Sequence, residues 1–443
     1  MNSHELDLRE ALLSAYDFGD EYPHPLLITR IYAELDRPEI ERHPQRWIAG
    51  AALAVIAVAL VVSLVWSSIQ QRAPTPGSAG PSANGVEAGT AAILANNHLV
   101  YVAPGNTNPS WEVAIAGPPD LSASHGYSGL GHRIAATPDG ALIYALPARD
   151  FSGGDKLAVV ATQGGMLLQQ FQLPNPDGSA RYGAVTVGAS GDAWVVGSVG
   201  KHIEIVRVRR HDGTISSWSG RDMSHWRPQG PVDGDYEIYE VQVTADEQRV
   251  YYSYTGGLLT FAGMDWVDLS GQRATTCTPS VSDQACVPGL AGFLVRGNDV
   301  FITTANDEPT GAIDRYGLDG SLKDHIELGL RSGFLEDFAI GPDGNHLYLF
   351  GSCGYSGGMA VLDLASLKTT VIVPAEPAHG PPTNLPCGQS STFVSRTLIA
   401  VGHVGALLPS SAAGQILFVD SSTGMVERSV PVPAEPIAVV AVN

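Results

Sequence analysis

The sequence predicts an all-β fold, a seven-bladed β-propeller behind a single N-terminal transmembrane helix, and three observations carry that prediction. A strand–turn–strand phrase recurs through residues 90–443 at a spacing of roughly 43 to 57 residues. One uncharged apolar run, Ile48–Val65, precedes it. Glycine (50) and proline (30) are plentiful while charged residues are only 16% of the 443, a balance that suits short strands joined by turns.

The apolar run is taken first because it divides the chain. At about 1.5 Å per residue its eighteen residues make roughly 27 Å of helix, enough to cross a bilayer core. Trp47 and Trp66 bracket it as interfacial anchors, so the predicted span is 47–66. A cleaved leader is disfavoured because 46 residues precede the run. Arg30, Arg37, Arg42 and Arg46 lie before the span and only Arg72 close behind it. The positive-inside bias therefore predicts a cytoplasmic tail, residues 1–46, and an exported remainder.

Within the tail, Leu8, Leu12 and Ala15 share one helical face, and a second short helix is expected from Pro25 through Leu35. Pro38 and Pro44 break the path to the membrane. The tail reads as a solvated helix pair or as a docking segment for a cytoplasmic partner. Residues 67–89 are rich in Pro, Gly, Ser and Ala and hold too little apolar surface to fold, so a flexible tether is expected.

From residue 90 the repeats begin. The clearest are Ile134–Tyr144 and Phe338–Tyr348, each an apolar strand, a Pro-Asp-Gly turn and a second apolar strand. Proline presets φ, aspartate bonds the turn locally and glycine takes the positive φ. Looser copies are Ile93–Val102, Val185–Val196, Val241–Tyr252, Leu294–Thr303 and Phe393–Val401. Met359–Val373 and Ile416–Val432 show a third strand, a turn and a fourth. Four strands per 40- to 50-residue repeat is the pattern of a propeller blade.

The units resemble the Pro-Asp-Gly…Leu-Tyr-Val blades of the YVTN and NHL-type β-propellers, over about 355 residues. That resemblance implies that the first strand of each unit lines a central channel. It also implies that ligands meet the face carrying the loops before first strands and between second and third strands. There are seven second-strand motifs but eight first-strand candidates, since the chain ends Pro436-Ile-Ala-Val-Val-Ala-Val-Asn443. Ring closure by that C-terminal strand, completing the blade begun near residue 93, accounts for the surplus. Eight blades is the alternative.

Aligned on the repeat, His132, Tyr239 and Glu336 fall in one column, and Arg133, Glu240 and Asp337 in the next. These six are the candidate ligand-binding residues at the channel mouth. The four cysteines all follow the span, where an even count reads as two disulfides, Cys277–Cys286 and Cys353–Cys387, both expected on the loop face. Gly354-Tyr-Ser-Gly-Gly358 matches a nucleophile-elbow pattern, but that motif needs a strand-to-helix turn and here it lies between two strands. The histidines are scattered singly, and no metal site, cofactor fingerprint or catalytic residue is predicted.

Net charge is −20, which argues against nucleic acid and anionic lipid surfaces as partners. Four lysines beside twenty-one arginines is the codon signature of a GC-rich bacterial genome. The first functional reading is a binding module outside the cytoplasmic membrane, for a protein, peptide or glycan. An enzyme of lactonase or quinoprotein type is the alternative, and needs convergent acids, a metal or a quinone. A third reading is an anti-sigma-like regulator acting through the tail, although the tail lacks the His-x3-Cys-x2-Cys motif of such domains.

Overall fold

A computed structural model describes residues 90–442 apart from 96–97, 107–108, 110, 116–132, 148–154, 164, 177, 179, 201, 224–235, 257–260, 270–274, 277–286, 289–291, 305–310, 331–337, 352–357, 375–389, 404–413 and 433–435. The expected tail, span and tether lie outside the described residues. Those that are described form seven antiparallel sheets and no helix.

Blade 1 draws on both ends of the repeat region. Its strands β1 (Thr90–Ala95), β2 (His98–Val102) and β3 (Trp111–Ala114) come from the start, and β29 (Pro436–Val442) from the end, in the order β29-β1-β2-β3. Blade 2 is β4 (Ile134–Ala136), β5 (Leu142–Ala145), β6 (Lys156–Ala161) and β7 (Met166–Gln172). Blade 3 is β8 (Arg181–Val187), β9 (Ala193–Val199), β10 (His202–Val208) and β11 (Ile215–Asp222). Blade 4 is β12 (Tyr236–Val243), β13 (Arg249–Gly256) and β14 (Phe261–Asp268), edged by two dipeptide strands, β15 (Thr275–Thr276) and β16 (Val287–Pro288). Blade 5 is β17 (Phe293–Arg296), β18 (Asp299–Thr304), β19 (Ala312–Gly317) and β20 (Leu322–Glu327). Blade 6 is β21 (Phe338–Ile340), β22 (His346–Phe350), β23 (Met359–Asp363) and β24 (Lys368–Val373). Blade 7 is β25 (Ser390–Phe393), β26 (Leu398–His403), β27 (Gln415–Asp420) and β28 (Val426–Pro431).

Seven blades, not eight, follow from β29. It pairs with β1 from Thr90↔Val442 to Ala95↔Pro436 and lies against the innermost strands β25 and β4 of the blades on either side. The eighth first-strand candidate is therefore the innermost strand of blade 1. This shifts the reading of Ile93–Val102, which is the second and third strand of its blade and not the first and second. An isolated hairpin looks the same in either position; only the pairing with β29 distinguishes them.

Seven apolar clusters hold the wheel, and each lies between two blades. Tyr144, Leu157 and Val159 of blade 2 meet Tyr182, Val195 and Val206 of blade 3, for example. The ring closes where Phe418, Ile416 and Ala400 of blade 7 pack on Ile93, Val100 and Val439 of blade 1. Burial on both faces explains the uninterrupted apolar strands. All seven residues of β9, Ala-Trp-Val-Val-Gly-Ser-Val, are buried. At the rim one face is lost, and the outer strands carry exposed residues instead.

The two faces of the wheel differ in their connections. Turns such as 137–141, 188–192, 244–248, 341–345 and 364–367 lie on one face. The strand ends joined by residues 115–133, 223–235, 374–389 and 404–414 lie on the opposite face. The chain enters at Thr90, on the turn face, leaving the loop face opposite its point of entry.

Candidate functional site

Four of the inner turns are one structure repeated. In each, the fourth residue donates its N–H to the first residue's carbonyl: Gly140 to Thr137, Gly191 to Gly188, Glu247 to Thr244 and Gly344 to Gly341, at 2.8–2.9 Å. The fourth residue has φ of +65°, +83°, +54° and +66° respectively. Glycine suits that position because it has no Cβ to crowd the left-handed backbone. Blade 4 places Glu247 there instead.

Glu247 is held by its neighbours. Its Oε1 accepts the Ser190 N–H of the blade 3 turn at 2.7 Å, and its Oε2 lies 3.1 Å from Arg207 Nη2. The same guanidinium bonds the buried Asp192 and sits 5.2 Å from the centroid of the Trp194 ring. A Cβ at Gly188 would collide with the Glu247 carboxylate, so the turn of blade 3 is shaped to receive it.

On the channel side the innermost strands have one unpaired edge, and unpaired main-chain groups away from water are costly. Side chains from the preceding blade meet that need. Arg133 Nη2 donates to Tyr182 O of β8 at 2.9 Å. Glu240 Oε2 accepts the Phe293 N–H of β17 at 2.7 Å, and Glu240 Oε1 accepts from Gln242 Nε2 at 2.8 Å. Gln242 continues along β17, donating to Phe293 O and accepting from Val295 N–H at 3.1 Å. Both Arg133 and Glu240 are 5% exposed.

Bulges recur at this level. The registers of β8, β12 and β29 shift so that Gly183, Tyr239 and Ile437 are extra residues on their strands. A bulge kinks a strand and re-aims its backbone, and is common next to binding sites. At Gly183 a side chain is excluded, because a Cβ would lie 2.5 Å from the main-chain oxygen of Ile238 in the next blade.

Of the six sequence candidates, Arg133 and Glu240 are thus brought to equivalent places, each bonding the next blade's innermost strand. Tyr239 is the bulged residue beside Glu240. His132, Glu336 and Asp337 lie outside the described residues, as do all four cysteines. Gln242 and Glu247 were not singled out from the sequence. Gln242 shares a strand face with Glu240 two residues earlier, and Glu247 is the one non-glycine at the fourth turn position; either signal could have found them.

A second polar cluster lies between β11 and blade 4. Asp265, 1% exposed, accepts from Tyr254 Oη at 2.9 Å and from Arg221 Nε at 3.0 Å, while Arg221 N–H donates to Tyr252 Oη at 3.2 Å. Burial, then the Asp265 charge, pushes both tyrosine hydroxyls far above their ordinary range, so both stay protonated, Tyr254 donating to Asp265 and Tyr252 accepting from the Arg221 N–H. Among the described residues no three His, Cys, Asp or Glu side chains are grouped to hold a metal ion. The Gly354–Gly358 pattern falls between β22 and β23, with Gly351 N–H bonded to Gly358 O at 3.1 Å.

These features define a closed seven-bladed β-propeller. The chain is similar in structure to a 6-phosphogluconolactonase-like protein of Bacteroides uniformis, with TM-score 0.52 and 13% identity over 79% of this chain and 98% of that one. It is similar to the periplasmic gluconolactonase of Pseudomonas aeruginosa, with TM-score 0.51 and 13% identity over 80% and 99%. A functionally unknown protein of Desulfotomaculum acetoxidans matches with TM-score 0.51 and 8% identity over 79% and 98%. No protein-family model and no curated protein matches the sequence. At these identities the likeness is one of fold.

Proposed function

We propose that the chain is a single-pass membrane protein of the YVTN and NHL propeller type. On this reading its wheel, outside the cytoplasmic membrane, binds a protein, peptide or glycan on the loop face. The observation that carries this reading is an asymmetry: tight turns join strands on the face where the chain enters, and longer stretches of sequence separate strand ends on the opposite face. Loops on a rigid scaffold are where recognition residues concentrate. Arg133 and Glu240, with both Glu240 oxygens engaged, serve as supports that hold the mouth open, and Tyr239, His132, Glu336 and Asp337 are the proposed contact residues. Residues 1–46 stay in the cytoplasm, available to a partner there.

Two disulfides belong to the proposal. The flanks of the 277–286 loop support the first: β15 pairs with Val267 and Asp268 and β16 with Gly263 and Met264, so the chain leaves and rejoins β14 a few residues apart. Those flanks, Thr275–Thr276 and Val287–Pro288, lie along the outer edge of blade 4. Cys353 and Cys387 follow β22 and precede β25, in neighbouring blades.

The test combines topology and binding. Protease added to spheroplasts should digest the wheel and spare the tail. The purified full chain should retain ligands on a glycan and peptide array, and lose them when 374–389 and 404–414 are replaced by short glycine linkers. Hydrolysis of gluconolactone above the buffer rate would instead favour the enzyme reading.

A further inference from the structure

We draw no further inference here: the strongest candidate, the buried side-chain cluster of Arg221, Tyr252, Tyr254 and Asp265 between β11 and blade 4, has its polar atoms engaged with one another and so belongs to the contact between blades 3 and 4 already described.

Discussion

Two seams of the wheel, between blades 7 and 1 and between blades 3 and 4, are built on different principles. The first joins segments hundreds of residues apart and relies on apolar packing: Val394, Ile416 and Phe418 against Ile93, Val102 and Val439, with β29 laid along β1. The second joins neighbours in sequence and adds polar bonds to its core of Trp194, Ile205, Tyr252 and Val267. Glu247, Arg207 and Ser190 clasp it on the turn face, and Arg221, Asp265 and Tyr254 clasp it further along. Apolar burial is non-directional and supplies free energy, whereas a buried ion pair seldom adds net stability but tolerates one geometry only. Both seams have an apolar core, and the polar bonds of the second are expected to fix its register more than to add to its stability.

The sharpest way to break that comparison is to remove β29. Deleting residues 434–443 strips Ala438, Val439 and Val442 from the core and bares the edge of β1 that β29 pairs with. The whole wheel should lose several kcal/mol, since each buried Val contributes roughly 1.5–3 kcal/mol. Thermal melts of the chain with and without the segment check it; an unchanged melting temperature would deny β29 its role in closure.

At the polar seam, Asp265→Ala should cost about 3–5 kcal/mol by leaving Arg221 buried without its carboxylate. Replacing Asp265 and Arg221 together by apolar residues of similar volume should recover most of that, as read by denaturant midpoints. If the double variant is as unstable as the single, the pair supplies stability after all and the contrast between seams fails.

Glu247 gives a finer test. Both Glu247→Ala and Glu247→Gly lose the Ser190 and Arg207 contacts, but only glycine relieves the positive φ. The alanine variant should be the less stable by about 1–2 kcal/mol, the cost of a left-handed non-glycine residue. Equal stability of the two would mean that the turn relaxes once the clasp is gone.

The smallest effect expected is with pH. Asp246 is held below the ordinary carboxylate range by the Thr244 hydroxyl and then the Gln248 N–H, and Asp343 by the Asn345 N–H and His346. Ser321, Thr214 and Ser366 do the same for Asp319, Asp212 and Asp363. A folded-state pKa below the unfolded one gives stability that is complete above about pH 4 and lost as pH falls through the folded value. Melting temperature should therefore decline below about pH 4, and less steeply in an Asp246→Asn, Asp343→Asn chain. Because these turns lie in blades 3, 4, 5 and 6, the acid loss should be spread over several blades and not confined to one seam.

Much of the fold was legible because a propeller repeats short-range phrases. Asp139 and Gly140, or Asp343 and Gly344, declare a turn from four residues, and apolar strands on either side declare a blade. The columns containing Arg133 and Glu240 were legible too, since equal spacing from the turn puts them at the same height on successive inner strands. Their role was not. A charged residue four positions before a turn looks the same whether it faces a ligand or the neighbouring main chain, and Tyr182 O and Phe293 N are 49 and 53 residues away.

What the sequence by itself determined is therefore the local grammar: where strands begin, where they turn, and that a strand–turn–strand unit repeats. It could do so because turn chemistry and strand patterning act over a handful of residues. Which end supplies the innermost strand of blade 1, and so whether the blades number seven or eight, and which side chains cross from blade to blade were decided only by the tertiary structure. Those are properties of contacts between residues far apart in the chain, and β29 against β1 or Glu247 against Ser190 comes into being only when the ring is closed.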